Sequence, residues 1–208
     1  MNLQEALGFP FERDGWVGKI AIGGVLYLIP IVGWIFVIGY LVDVIRRVAL
    51  DDPELMPEWD DWGGKFKQGI LGVALWVIWQ VILFIPAFVL AIPFALIDAE
   101  AASIVGFILG LLAGIAGYLF MPVFLGRYAT TGDFSSGLQV IEILNMVKRN
   151  LGSYLVQCLL AGFFMLVALV ILGAMGTLAC GIGLIFTQFY WNLFQSYLLG
   201  RLYRTLAR

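Results

Sequence analysis

Five stretches of this chain carry no charged residue: 20–42, 69–97, 101–125, 151–172 and 182–199. Each is close to the twenty or so apolar residues a helix needs to cross a hydrocarbon core of about 30 Å. Between the first and second lies the one long polar interruption, residues 51–67, DDPELMPEWDDWGGKFK, which holds six acids in seventeen residues. Pro53 and Pro57 forbid a continuous helix there, because each removes a backbone donor and restricts the residue before it. The pattern predicts an all-α, polytopic membrane protein with four to five membrane-embedded spans, built as a single integral membrane domain over residues 1–208.

Smaller features refine the picture. Residues 1–19 mix Phe9, Phe11 and Trp16 with charges, as an arm lying along lipid headgroups would. Pro86 and Pro93 predict a kink or an early end in the second apolar stretch. Asp133 is placed to cap a following helix over residues 134–149. There Gln139, Glu142, Asn145 and Arg149 share one side, while Val140, Ile141, Ile143, Leu144 and Val147 cover the other, the pattern of an amphipathic surface helix. Gly173, Gly176, Gly181 and Gly183 predict a glycine-rich turn before the last apolar stretch.

The first apolar stretch has two readings. One helix over residues 20–46 would be roughly 40 Å long, well beyond the hydrocarbon core. Pro30 and Gly33, in LIPIVG, offer a reversal instead, as a re-entrant hairpin covered by the other helices. Arg46, Arg47, Lys65, Lys67, Arg127, Lys148, Arg149, Arg201, Arg204 and Arg208 fall on one side of the span pattern. A straight first span puts Arg13 and Lys19 opposite them; a reversal brings all twelve Lys and Arg together. The positive-inside rule therefore favours the hairpin and makes the acidic loop and C-terminus cytoplasmic.

Composition excludes several functions. The chain is 62% hydrophobic and 12% charged, half the charge of an ordinary soluble domain. A net charge of −2 argues against a nucleic-acid partner. No basic n-region opens the sequence, so the first apolar segment reads as retained. There is no histidine, which removes His-ligated metals, Ser-His dyads and His proton relays. Cys158 and Cys180 are about 33 Å apart along a helix, too far for a disulfide. No cofactor is expected. The expected partners are the lipid bilayer and other membrane-protein subunits.

Three constellations remain as candidate sites. Pro57, Glu58, Trp59, Asp60, Asp61 and Trp62 form the centre of the polar loop. The indoles suit the membrane–water boundary, while the carboxylates suggest either plain solvation or a hard cation. Gln188, Asn192 and Gln195 fall within about 60° of one another on a helix. Such a stripe must face protein, water or a ligand; Gln80 and Gln157 are candidate hydrogen-bonding partners, and a substrate path is the functional reading. Gly106, Gly110 and Gly114 make a doubled GxxxG seam, expected to pack against another helix of the bundle.

FPFERDGWVGKIAIGGVLYLIPIVG, GYLVDVIRRV and MPEWDDWGGKFKQG resemble a family of prokaryotic multi-pass membrane proteins catalogued as a domain of unknown function, number 4013. The likeness covers about the first 70 residues. Met56 stands where that family's acidic motif usually has Leu. The resemblance implies an integral membrane protein of several helices and assigns no catalytic or binding residue. The favoured function is a non-enzymatic structural, assembly or accessory subunit of a prokaryotic inner-membrane complex; the alternative is a small transporter or lipid-handling protein using the Gln188–Gln195 stripe. Cysteine-accessibility labelling checks the topology: positions near Trp62, Gly137 and Arg208 should label from one side, and those near Ala99 and Leu178 from the other.

Overall fold

The computed structural model describes residues 3–12, 14–178 and 182–207; Arg13, Cys180, Gly181 and Arg208 lie outside them. Among the described residues there are helices and turns and no strand. The α-helices are α1 (Leu3–Gly8), α2 (Trp16–Tyr27), α3 (Val32–Leu50), α4 (Trp62–Ala95), α5 (Ala99–Thr131), α6 (Val140–Arg149), α7 (Leu151–Leu178) and α8 (Ile182–Ala207). Three of them, α4, α5 and α7, are long and apolar enough to cross a membrane. α3 carries Asp43, Arg46 and Arg47, and α8 carries its polar stripe, so neither is as apolar as those three.

Short acidic side chains set several boundaries. The Asp61 carboxylate accepts from the Gly64 amide and caps α4, and the Asp98 carboxylate accepts from the Glu100 and Ala101 amides and caps α5. Each satisfies donors that the first turn of a helix leaves unpaired. At the other end of α5, Gly132 takes φ +71°, and its amide bonds back to the Tyr128 carbonyl, the left-handed stop that glycine adopts without strain.

The first apolar stretch is not one helix. α2 ends at Tyr27, and the chain reverses before α3 begins at Val32. At the turn the Val32 amide donates to the Pro30 carbonyl at 2.8 Å across Ile31, which sits at φ +65° and ψ −69°. This is the rarer, strained form of γ-turn. A methyl on Gly33 would overlap the Leu26 carbonyl, so only glycine lets α3 start this close to α2. The Trp34 indole donates to the Tyr27 carbonyl at 3.2 Å and closes the turn. The reversal returns Lys19 to the acidic loop, where it bonds the Met56 carbonyl.

α3 is the central element, packed against α4, α5 and α8. Tyr40, Leu75, Phe124, Phe189 and Leu193 are fully buried around it. The N-terminal arm is docked on α8 rather than free of the bundle: Phe9 stacks on Tyr197 at 5.2 Å, the Tyr190 hydroxyl donates to the Leu7 carbonyl, and Glu5 pairs with Arg201.

Several boundaries differ from expectation. α4 continues through Pro86 and Pro93. Each proline deletes one rung of the helix, whereas ending it in an apolar stretch would strand several backbone groups with no water to receive them. The amphipathic helix begins at Val140, not Phe134, because Asp133 caps a 3-10 turn over Phe134–Leu138 by accepting from the Ser135 amide. Ile143 and Val147 of α6 face inward as the pattern predicts, but Ile141 is exposed. Gly173 and Gly176 lie inside α7 and Gly183 inside α8, so these three are helical and not part of a turn, while Gly181 lies outside the described residues.

The seam of Gly106, Gly110 and Gly114 has no described helix packed against it. A methyl on any of the three would meet nothing within 4 Å among the described residues. The seam lies on a part of the α4–α5 hairpin where Phe88, Leu96, Ile97 and Phe107 are exposed. Close approach occurs at other glycines. A methyl on Gly39 would overlap the Lys65 carbonyl, and one on Gly69 the Ile35 carbonyl, so α3 and α4 touch backbone to backbone. Gly39→Ala should therefore cost about 1–3 kcal/mol through overpacking, while Gly106→Ala should leave stability unchanged or slightly raised. Thermal unfolding midpoints of the two variants in detergent check the contrast.

Candidate functional site

The polar loop is folded onto the bundle by a reciprocal link with α2. Lys19 is only 7% exposed. Its ammonium donates to the Met56 carbonyl at 3.0 Å and pairs with Glu58 at 2.6 Å. In return the Trp59 indole donates to the Lys19 carbonyl at 3.0 Å. Trp59 is thus buried, stacked on Tyr40 at 4.3 Å between ring centroids, and is not the interfacial anchor its sequence suggests. Its neighbour Trp62 is 41% exposed. Met56, where the resembling family has Leu, is buried in the same core.

The remaining acids are used locally. Asp51 pairs with Arg204 and Glu54 with Arg47. Asp52 accepts from the Glu54 amide and Asp61 caps α4. The Asp61 amide, with help from the nearby Lys65 ammonium, holds the Asp60 carboxyl below its ordinary range. Among the described residues no three acidic or cysteine side chains converge as a metal site, so a hard-cation role for the loop gains no geometric support. Lys65 is slightly more buried than Lys19; its Nζ lies 5.9 Å from the Tyr40 ring centroid and 3.9 Å from Asp60. Together with Arg46, Arg47 and the loop acids it lines a polar cleft of about 270 Å³.

The polar stripe of α8 divides into two parts. Asn192 donates to the Tyr27 hydroxyl and to the Gln188 carbonyl, which ties α8 to the α2–α3 hairpin. Tyr27, not Gln80 or Gln157, is the side-chain partner; Gln157 donates to Ser153 on its own helix, and Gln80 lies against Gly117 of α5. Gln195 and Ser196 take no part in that tie, although with Asn192 they open on one space. They line a cavity of about 340 Å³ between α3, α4, α5 and α8, whose remaining walls are mostly apolar. Ser196 is 3% exposed. A lone serine in an apolar helix carries no sequence signal of its own, so only the cavity singles Ser196 out.

A family model described as a protein of unknown function, DUF4013, matches residues 22–177. The chain belongs to this family. No curated protein and no solved structure matches it. The DUF4013 match reaches well beyond the first 70 residues and takes in the acidic loop, the α4–α5 hairpin and the glycine seam. Lys19, the arm before it and the α8 stripe lie outside the DUF4013 match.

If the Lys19 link holds the loop down, Lys19→Met should release it. Losing a charge-assisted hydrogen bond costs about 2 kcal/mol, roughly a thirty-fold rise in the opened loop. Limited digestion with a glutamate-specific protease should cut after Glu54 and Glu58 correspondingly faster, while α4 and α5 stay protected.

Proposed function

We propose that this DUF4013 protein is a non-enzymatic multi-pass protein of the prokaryotic inner membrane, acting as a structural or assembly subunit of a membrane complex. The observation that carries this reading is the uncovered outer half of the α4–α5 hairpin. Phe88, Leu96, Ile97 and Phe107 are all more than 70% exposed there, and the Gly106–Gly110–Gly114 groove opens on the same hairpin. In lipid, where apolar surface alone gives helices little reason to associate, small-residue grooves promote association by letting backbones approach. A groove that no described residue fills is suited to a helix from another subunit. The cytoplasmic placement of the acidic loop draws on the Lys and Arg residues gathered with it, Lys19 included.

A second reading, a small transporter or lipid-handling protein, draws on the cavity faced by Gln195 and Ser196.

Affinity purification in mild detergent tests the first. A partner should co-purify stoichiometrically with the wild type and be lost from Gly110→Leu, with the variant's helix content and elution as a single chain unchanged. Isolation of the wild type alone, or an undisturbed complex with Gly110→Leu, would remove the groove from the argument.

A further inference from the structure

The cavity between α3, α4, α5 and α8 has a defined chemistry. All its lining residues are uncharged. Ile38 from α3, Val73 and Trp76 from α4, and Met121 from α5 make the apolar wall, and α8 supplies Asn192, Gln195 and Ser196. The Asn192 amide nitrogen is already committed to the Tyr27 hydroxyl and the Gln188 carbonyl. Gln195 and Ser196 make no side-chain hydrogen bond among the described residues, although Ser196 is 97% buried. Among the described residues the buried side-chain groups without a partner are the Tyr40 and Tyr197 hydroxyls; the polar atoms of Gln195 and Ser196 stay open to the cavity, where a ligand can pair with them. At about 340 Å³ the space matches the smaller ligand sites of proteins, which are apolar with a few placed polar groups.

We infer that this cavity binds one uncharged, mostly apolar, membrane-soluble molecule carrying a hydroxyl or carbonyl group, of the long-chain alcohol or monoacylglycerol class. The apolar body lies against Ile38, Trp76 and Met121, and the polar group exchanges hydrogen bonds with Gln195 and Ser196. A carboxylate or a phosphate finds no cation in these walls, which selects against fatty acids and phospholipid headgroups. The inference rests on the second functional reading and needs no partner subunit.

Native mass spectrometry of the full chain in mild detergent, titrated with monoolein, tests it. The wild type should retain one molecule per chain. The Gln195→Leu, Ser196→Ala double variant, which removes two hydrogen-bonding groups with little change in volume, should bind about tenfold more weakly. Val73→Trp, which fills the space, should not bind. Circular dichroism confirms that each variant is folded, and the double variant decides the matter alone if Val73→Trp does not fold. A folded wild type that retains no monoolein would overturn the inference. So would retention of several molecules insensitive to the double variant, since that is lipid on the outer surface. Absence of a co-purifying partner leaves this titration untouched, so the two readings fail separately.

Discussion

A buried ammonium constrains much of this structure. Placing Lys19 inside the protein removes it from water at a cost of several kcal/mol unless partners replace the lost solvation. The nearest stretch rich in oxygen is the polar loop, so the loop must fold inward to supply the Met56 carbonyl and Glu58. Folding inward carries Trp59 onto Tyr40, and the indole returns a hydrogen bond to Lys19. The face of α3 that holds Tyr40 is thereby covered, and the neighbouring Gly39 is left against the backbone of α4. One charge thus orders a loop, a helical hairpin and a helix–helix contact in sequence.

The apolar runs made the helices legible, and Pro30 with Gly33 marked the reversal because one helix over residues 20–46 would overrun the hydrocarbon core. The distribution of Lys and Arg pointed the same way before any contact was known. What could not be read was which face of a helix would be covered. Gly106, Gly110 and Gly114 share a face by their spacing, but coverage is a property of the neighbours. Gly39 meets the Lys65 backbone and Gly69 the Ile35 backbone, contacts across two helices that show no periodicity along the chain. Trp59 and Trp62 are alike in sequence and differ only because Asp61 starts a helix between them, turning one ring inward and leaving the other partly outside.

The α8 stripe illustrates the same limit at a candidate site. Periodicity correctly set the amides apart from the apolar background, but it treated them as one surface. The structure ties the Asn192 amide to Tyr27 and leaves Gln195 and Ser196, which line the same cavity, without such a tie. Hydrogen-bond satisfaction depends on residues more than 150 positions away in the chain, such as Tyr27, and no local pattern carries that.

The reversal at Pro30 and Ile31 has a consequence for the order of assembly. The wall that α2 rests on includes α8, with Gly23 and Gly24 fitted against Phe189 and Phe186. Those rings leave the ribosome some 160 residues after the glycines they cover. Ile31 is held at a backbone angle that a β-branched residue adopts only when its surroundings enforce it. Until α8 arrives, the Phe189 and Phe186 rings that cover Gly23 and Gly24 are missing. The first apolar segment to be synthesised is therefore among the last to settle.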